Sequence, residues 1–365
     1  MQKSLGIYIH IPFCEKKCPY CSFYSVKCSE EMQQRYTEKV CTELQKWGKN
    51  LKRRVSTVYF GGGTPSLIGA EKIIKILNAV NENFEVSSPE ITLEVNPADY
   101  SSVDFEKLAF SGVNRVSVGA QALDDESLKV LGRRHSVNDI IKTYESIKLA
   151  KIDNISFDMI IGFPGQRLDN IKTFLNFYKE NRLSHLSAYL LKVEPGTPYF
   201  ESNLEFISDD ICSDFYIFIS DEMKKMGYEH YEISNFSLPG KRSRHNMKYW
   251  NLEDYLGIGP SAHSLIDGER FYYENNINNF ILNPKILSEG IGGTPEEYAM
   301  LRLRLSDGLV NEEYQKKFGA SIPEEYFRKA EKFEDFGLVK INENNIALTS
   351  KGFLLSNKII SDLIL

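Results

Sequence analysis

Three of the six cysteines in this 365-residue chain, Cys14, Cys18 and Cys21, crowd into the stretch YIHIPFCEKKCPYCSF with the spacing C-x3-C-x2-C. Where thiols stay reduced, cysteines gathered in this way bind metal or do redox chemistry. A closed structural zinc site takes four ligands, so a zinc reading needs a further donor, with His10 or Cys28 at hand. A cluster of four irons ordinarily takes four thiolates. Three leave one iron open to an external ligand, and an open iron is a place for chemistry. Cys28, Cys41 and Cys212 stand apart from the group and read as buried or incidental thiols.

The cysteines follow directly on LGIYIHI (5–11), the first of six runs rich in β-branched and aromatic residues. The others are STVYF (56–60), EITLEV (90–95), RVSVGA (115–120), ISFDMII (155–161) and LSAYLL (186–191). Between them, EMQQRYTEKVCTELQKW, AEKIIKILNAVNENF and VNDIIKTYESIKLA carry apolar residues at three- and four-residue spacing, which predicts amphipathic helices. The alternation predicts a parallel sheet with right-handed crossovers. Side chains alternate across a strand, so Ile7, Ile9 and Ile11 oppose Tyr8 and His10. Likewise Thr92, Glu94 and Asn96 share a face, as do Ser117, Gly119 and Gln121, and Asp158 sides with Ser156. A doubly wound sheet would be apolar on both faces. A closed or partly closed barrel, with helices outside and a polar mouth at the carboxyl ends of the strands, accounts for the pattern.

A C-x3-C-x2-C loop after the first strand of a βα barrel resembles the radical S-adenosylmethionine superfamily. The resemblance implies that the three cysteines hold a 4Fe-4S cluster, whose open iron is chelated by the amino and carboxylate groups of S-adenosylmethionine. STVYFGGGTPS supplies a second landmark: Gly61, Gly62 and Gly63 directly after the second strand, where glycine lets backbone groups approach a ligand closely. Neither the P-loop nor the G-x-G-x-x-G pattern is present. Through essentially the whole chain, the resemblance is to the subfamily that holds oxygen-independent coproporphyrinogen III oxidase and a branch of heme chaperones. It implies S-adenosylmethionine contacts at Tyr8, Tyr20, Gly62, Gly63, Thr64, Glu94, Gln121, Arg133 and Asp158. The oxidase branch resembles C-x3-C-x2-C-x-C after a longer N-terminal segment. Here Phe23 stands in place of the extra cysteine and thirteen residues precede Cys14, which points to the chaperone branch. RHNMKYWNLEDYLGIGPSAHS carries that branch's H-N-x-x-Y-W pattern as His245, Asn246, Tyr249 and Trp250. The resemblance implies heme binding there, with imidazole as an axial ligand and aromatic rings against the macrocycle.

The expected fold is α/β: a partial (β/α)6 TIM-type barrel over residues 1–240, holding the cluster and the S-adenosylmethionine site. A connector over 241–295 carries the heme motif and runs irregularly from YLGIGPSAHS to EGIGGTPEEY. A smaller, mainly helical, winged-helix-like domain over 296–365 includes the strand pair GLVKINENNIALTSKG and is expected to cover the cleft. Winged helices can bind DNA, but 44 basic residues against 50 acidic give a net charge of −6 with no basic stripe, which excludes nucleic acid as a partner. No apolar run reaches the roughly 18 residues of a membrane span and no secretory leader is visible, so the expected location is the cytoplasm. The expected activity is to bind heme and pass it to recipient hemoproteins, some met at a membrane surface, without coproporphyrinogen dehydrogenation. The alternatives are oxygen-independent decarboxylation of coproporphyrinogen III or another tetrapyrrole, and a zinc-stapled structural module.

Overall fold

The computed structural model describes residues 4–364, so the outer ends of the first and last expected regions, 1–3 and 365, lie outside it. Six parallel strands, β1 (Leu5–Ile11), β2 (Arg54–Gly62), β3 (Glu85–Val95), β4 (Arg115–Gln121), β5 (Asn154–Ile161) and β6 (His185–Leu190), stand side by side in chain order. The crossovers are α1 (Glu30–Asn50), α2 (Ala70–Asn83), α3 (Phe105–Phe110), α4 (Asp125–Val130) with α5 (Val137–Leu149), and α6 (Leu168–Asn181). Local chemistry starts these helices. Ser29 caps α1 by accepting from the Met32 amide, and Glu30 and Glu31 in its first turn complement the helix dipole.

Phe157 shows which face of the strands the helices take. On β5 it stacks on Phe177 of α6 and meets Tyr144 of α5 and Tyr178 of α6 edge-on. Ser156 and Asp158, its neighbours, therefore turn away from the helices. Each fully buried aromatic or aliphatic side chain of this layer contributes about 1.5–3 kcal/mol, and the layer runs continuously from Leu5 through Ile7, Ile9 and Ile11 to Leu186. The alternating pattern thus places the polar face inside a partial barrel.

Beyond β6 the chain passes through α7 (Asp209–Lys225) to β7 (Glu229–His230) and β8 (Asn235–Ser237), antiparallel strands that close one edge of the sheet. After α8 (Arg244–Trp250), residues 255–291 differ from the irregular course expected of them. They form β9 (Tyr255–Ile258), β10 (His263–Ile266), β11 (Glu269–Tyr273) and β12 (Ile286–Ile291). β9 pairs parallel with β1, Gly6 facing Tyr255, and the other three extend the same sheet antiparallel. These strands are four to six residues long, and β12 is exposed throughout, so no buried alternation marks them in the sequence. They are held by pairing, and by Gly259, whose φ is +120° and whose missing Cβ would lie 2.5 Å from Tyr36 Oη. The resulting twelve-stranded sheet is open, with β12 and β7 at its edges.

The C-terminal region adds a three-stranded sheet of Leu309–Val310, Val339–Asn342 and Asn345–Leu348 among short helices from Pro295 onward. Among the described residues, no helix is long and apolar enough to cross a membrane.

Candidate cluster and cofactor site

The cysteine loop leaves β1 and returns on itself before α1 begins. Phe13 bridges to Val26, the Cys14 amide donates to Val26 O at 3.1 Å, and the Val26 amide donates to Pro12 O at 2.7 Å. Phe13 is fully buried against Tyr36, whose hydroxyl in turn donates to His10 O. A stem pinned to the core thus carries an arch, and the thiols of Cys14, Cys18 and Cys21 line one cavity of about 400 Å³ beneath it. Cys28 lies elsewhere, with its sulfur accepting from Gln33 Nε2 at 3.3 Å. Among the described residues, no three His, Cys, Asp or Glu side chains converge closely enough to hold a single metal ion. Thiols spaced around a cavity suit a cluster in which each ligated iron takes its own thiolate, so the donor set fits a 4Fe-4S group with one iron open. Burial, reinforced by Cys18 and Cys14, pushes the Cys21 thiol above its ordinary value. A bound iron would favour the thiolate and reverse that tendency.

The glycine loop passes over the end of β1. Gly62 has φ +114°, and a Cβ there would lie 2.6 Å from the His10 ring, so glycine is required by the protein's own packing as well as by closeness to the cavity. The Gly62 amide donates to Glu94 Oε2 at 3.1 Å, while Tyr59 Oη donates to Oε1 at 2.8 Å. Burial, with Asp158 nearby, still raises the Glu94 carboxyl to about 7. Asp158 accepts from Ser117 Oγ at 3.2 Å and is raised to about 6, again chiefly by burial. Both carboxyls therefore sit close to neutrality, able to accept from an amine or a ribose hydroxyl.

Arg133 donates to Cys18 Sγ at 3.2 Å, Tyr20 Oη at 3.4 Å and Gly119 O at 2.9 Å, yet its buried Nε has no partner. A guanidinium so placed can take a ligand carboxylate. Gln121 ends β4 in the left-handed region at φ +69°, where the pairing with β5 slips, a strained conformation for a residue other than glycine. Thr64 Oγ1 lies 3.5 Å from Cys14 Sγ. Tyr20, Gly62, Gly63, Thr64, Glu94, Gln121, Arg133 and Asp158 all line the cysteine cavity; Tyr8 does not. Its hydroxyl bonds His10 Nδ1 at 3.0 Å, and its ring faces a neighbouring cavity.

That second cavity, of about 670 Å³, shares Lys17, Ser22 and Phe23 with the first. Tyr8, Tyr24, Tyr249 and Tyr255 are among its walls, with His10 and His263. Phe23 is 65% exposed and borders both spaces.

The structure departs from the sequence expectation at His245. Glu90 accepts the Arg244 and His245 amides at 3.1 and 3.0 Å, and Ser243 caps α8 by accepting from Asn246 N at 3.4 Å. The helix packs against the barrel wall near the amino ends of β1 and β2, where Lys248 Nζ donates to Ser4 O. There the His245 ring is buried, with Nδ1 2.8 Å from Thr57 Oγ1 and Nε2 2.8 Å from Tyr249 Oη. Burial, then Lys248 and Arg115, lower its pKa to about 3. Residues four apart share a helix face, which brings Tyr249 onto Nε2, and Thr57 of β2 takes Nδ1, so both ring nitrogens are engaged. Of the motif, Tyr249 lines the second cavity, whereas Asn246 and Trp250 do not, and Trp250 Nε1 is buried without a partner.

Tyr189 and Lys192 also line the first cavity, though neither is singled out by the sequence reading. Period two carried into β6 reaches Tyr189, since Ile160 is paired with it. His263 and Tyr255 escape notice because they lie on the short strands read as a connector.

Residues 8–178 match the family described as Radical SAM superfamily, and residues 294–355 the one described as HemN C-terminal domain. The heme chaperone HemW of Lactococcus lactis is 32% identical over 100% of this chain and 98% of its own length. That of Bacillus subtilis is 30% identical over 96% and 97%. Among solved structures, coproporphyrinogen III oxidase (HemN) from Escherichia coli superposes with a TM-score of 0.85 at 20% identity, covering 100% of this chain and 90% of that one, and shares the fold. The superfamily brings with it a 4Fe-4S cluster and S-adenosylmethionine, which the thiols and polar groups of the first cavity fit. The chain belongs to the radical SAM superfamily and, within it, to the family of the HemW proteins.

Proposed function

We propose that this protein is a cytoplasmic heme chaperone: it binds heme beside a cluster-and-cofactor site and hands it to recipient hemoproteins, some of them at a membrane surface. The observation that carries the reading is full-length similarity to relatives named for that role, 32% identical over 100% of this chain in one case. Two features support it. Phe23, not a further thiol, stands between the two cavities, and the second cavity offers aromatic walls to an apolar macrocycle with Lys17 at its rim. In the first cavity Cys14, Cys18 and Cys21 would hold the cluster. Tyr20, Gly62, Gly63, Thr64, Gln121 and Asp158 would surround S-adenosylmethionine, with Arg133 on its carboxylate and Glu94 near its amine. When bound, cluster and cofactor supply one-electron reducing chemistry at a sulfonium.

The test is anaerobic reconstitution of the cluster, titration with hemin, and mixing of the loaded protein with an apo-hemoprotein. Heme uptake followed by appearance of the recipient's own absorption spectrum is the expected result. No uptake, or steady conversion of coproporphyrinogen III to protoporphyrinogen, overturns the reading.

A further inference from the structure

The chain has six histidines, and a nitrogen that is to meet heme iron must be free of other bonds and open to a cavity. Five fail because both ring nitrogens are already hydrogen-bonded, and of these only His10 borders the second cavity. His10 is held by Tyr8 Oη and Tyr24 O, and His135 by Asn96 Oδ1 and Ala120 O. His185 is held by Ser156 Oγ and Tyr231 Oη, and His230 by Ser220 Oγ and Tyr216 Oη. His245, as described, lies between Thr57 and Tyr249. The phenols of the second cavity are no better placed: burial raises Tyr8, Tyr249 and Tyr255 above the ordinary tyrosine value and disfavours a phenolate ligand, and Tyr24 Oη already accepts from the Ile277 amide at 3.0 Å.

His263 is the exception. It opens β10 at the rim of the second cavity with 51% of its side chain exposed. The register brings it opposite Tyr272 of β11, on which its ring stacks at 5.0 Å and 17°. From β12, Glu289 Oε2 lies 2.8 Å from its Nδ1. Among the described residues, its Nε2 has no hydrogen-bond partner. A carboxylate on one ring nitrogen fixes the tautomer, orients the ring and raises the basicity of the other nitrogen, the usual support of a metal-ligating imidazole.

We propose that His263 is the heme-iron ligand of this protein, through Nε2, and that Glu289 is its positioning residue, with heme seated in the second cavity beside Phe23. This deepens the chaperone reading and rests on it. It also gives the added strands a purpose: β10, β11 and β12 bring ligand, stacking partner and carboxylate together across three neighbouring strands.

The experiment is a hemin titration of the cluster-loaded protein, followed by its Soret absorption and low-temperature electron paramagnetic resonance, for wild type, His263→Ala, His263→Gly and Glu289→Gln. His263→Ala is expected to bind about 10- to 100-fold more weakly with a shifted Soret band, while its iron-sulfur absorbance stays intact as a control for folding. Added imidazole should restore the wild-type spectrum to His263→Gly. Glu289→Gln should still bind but show an altered ligand field. Unchanged affinity and spectra in His263→Ala overturn the assignment and leave the chaperone reading standing; failure of the wild type to take up hemin overturns that reading itself.

Discussion

Near the amino ends of the strands, His245, Thr57, Tyr249 and Glu90 form a closed set of hydrogen bonds. At the carboxyl ends, Glu94, Asp158, Arg133 and three thiols face a shared cavity with capacity left over. Both regions bury polar groups, and burial shifts the titration of both. The floor spends its donors and acceptors on itself, so it stabilises. The mouth holds two carboxyls near neutrality, an arginine with an unmet N–H and a left-handed Gln121, a cost in stability that a ligand offsets. A heme-motif histidine found on the floor is thereby read as an anchor of α8. Arg115 and Trp250 do not follow this division: Arg115 is buried with Nε and Nη1 unpartnered, Trp250 Nε1 is buried and unpartnered, and nothing in the structure explains either.

The sharpest way to break the comparison is through the thiols. Changing Cys14, Cys18 or Cys21 to Ala should abolish the reconstituted iron-sulfur absorbance, whereas Ala at Cys28, Cys41 or Cys212 should leave it. Loss of the cluster with Cys28→Ala would show that the mouth extends beyond the cavity described.

A paired test exchanges the two ends. His245→Ala orphans Thr57 and Tyr249 and should cost about 2–4 kcal/mol in denaturant unfolding while keeping the cluster and S-adenosylmethionine. Asp158→Asn should do the reverse, weakening S-adenosylmethionine about tenfold by equilibrium binding with little loss of stability. If His245→Ala stays fully stable but loses heme, the floor is a binding site after all.

The smallest expected effect is on pH dependence. His10, His135, His230 and His245 are lowered to between about 3 and 4, all chiefly by burial. The unfolded chain takes up their protons near pH 6.5, so the stability they confer is present above about 6.5 and lost as pH falls below it. Glu94 and Glu232, raised to about 7, act oppositely: their contribution is full at acid pH and lost as pH rises through about 7. Between pH 6.5 and 7.5 the two trends nearly cancel, so the cofactor-free protein should have a flat stability maximum around neutral pH and lose stability as pH falls below about 6. Glu94→Gln should steepen the acid limb and let stability go on rising toward about pH 7.5. An unaltered profile, measured by thermal melts across pH, would mean that Glu94 ionises normally and the mouth carries less strain than described.

What the sequence disclosed and what it hid follow from how each feature is encoded. β1 to β6 each carry enough apolar alternation to specify a buried face, and that same alternation placed Glu94, Gln121 and Asp158 on the other side. Strands β9 to β12 are short, and β12 buries neither face, so they exist through pairing with β1 and its neighbours, which one strand read alone does not contain. His263 was hidden with them. His245 was visible as a motif, but its surroundings depend on Thr57 and Glu90, well over a hundred positions away, and no local pattern specifies that meeting.

The paired stem of the cysteine loop bears on the order of events during maturation. Because Phe13 is buried and Pro12, Cys14 and Val26 are joined by backbone bonds, the stem of the arch is held by the barrel's own packing and hydrogen bonds. Loading would then be a delivery to a stem that folding has already set, an expectation that the rate of cluster reconstitution at varied iron and sulfide supply would check.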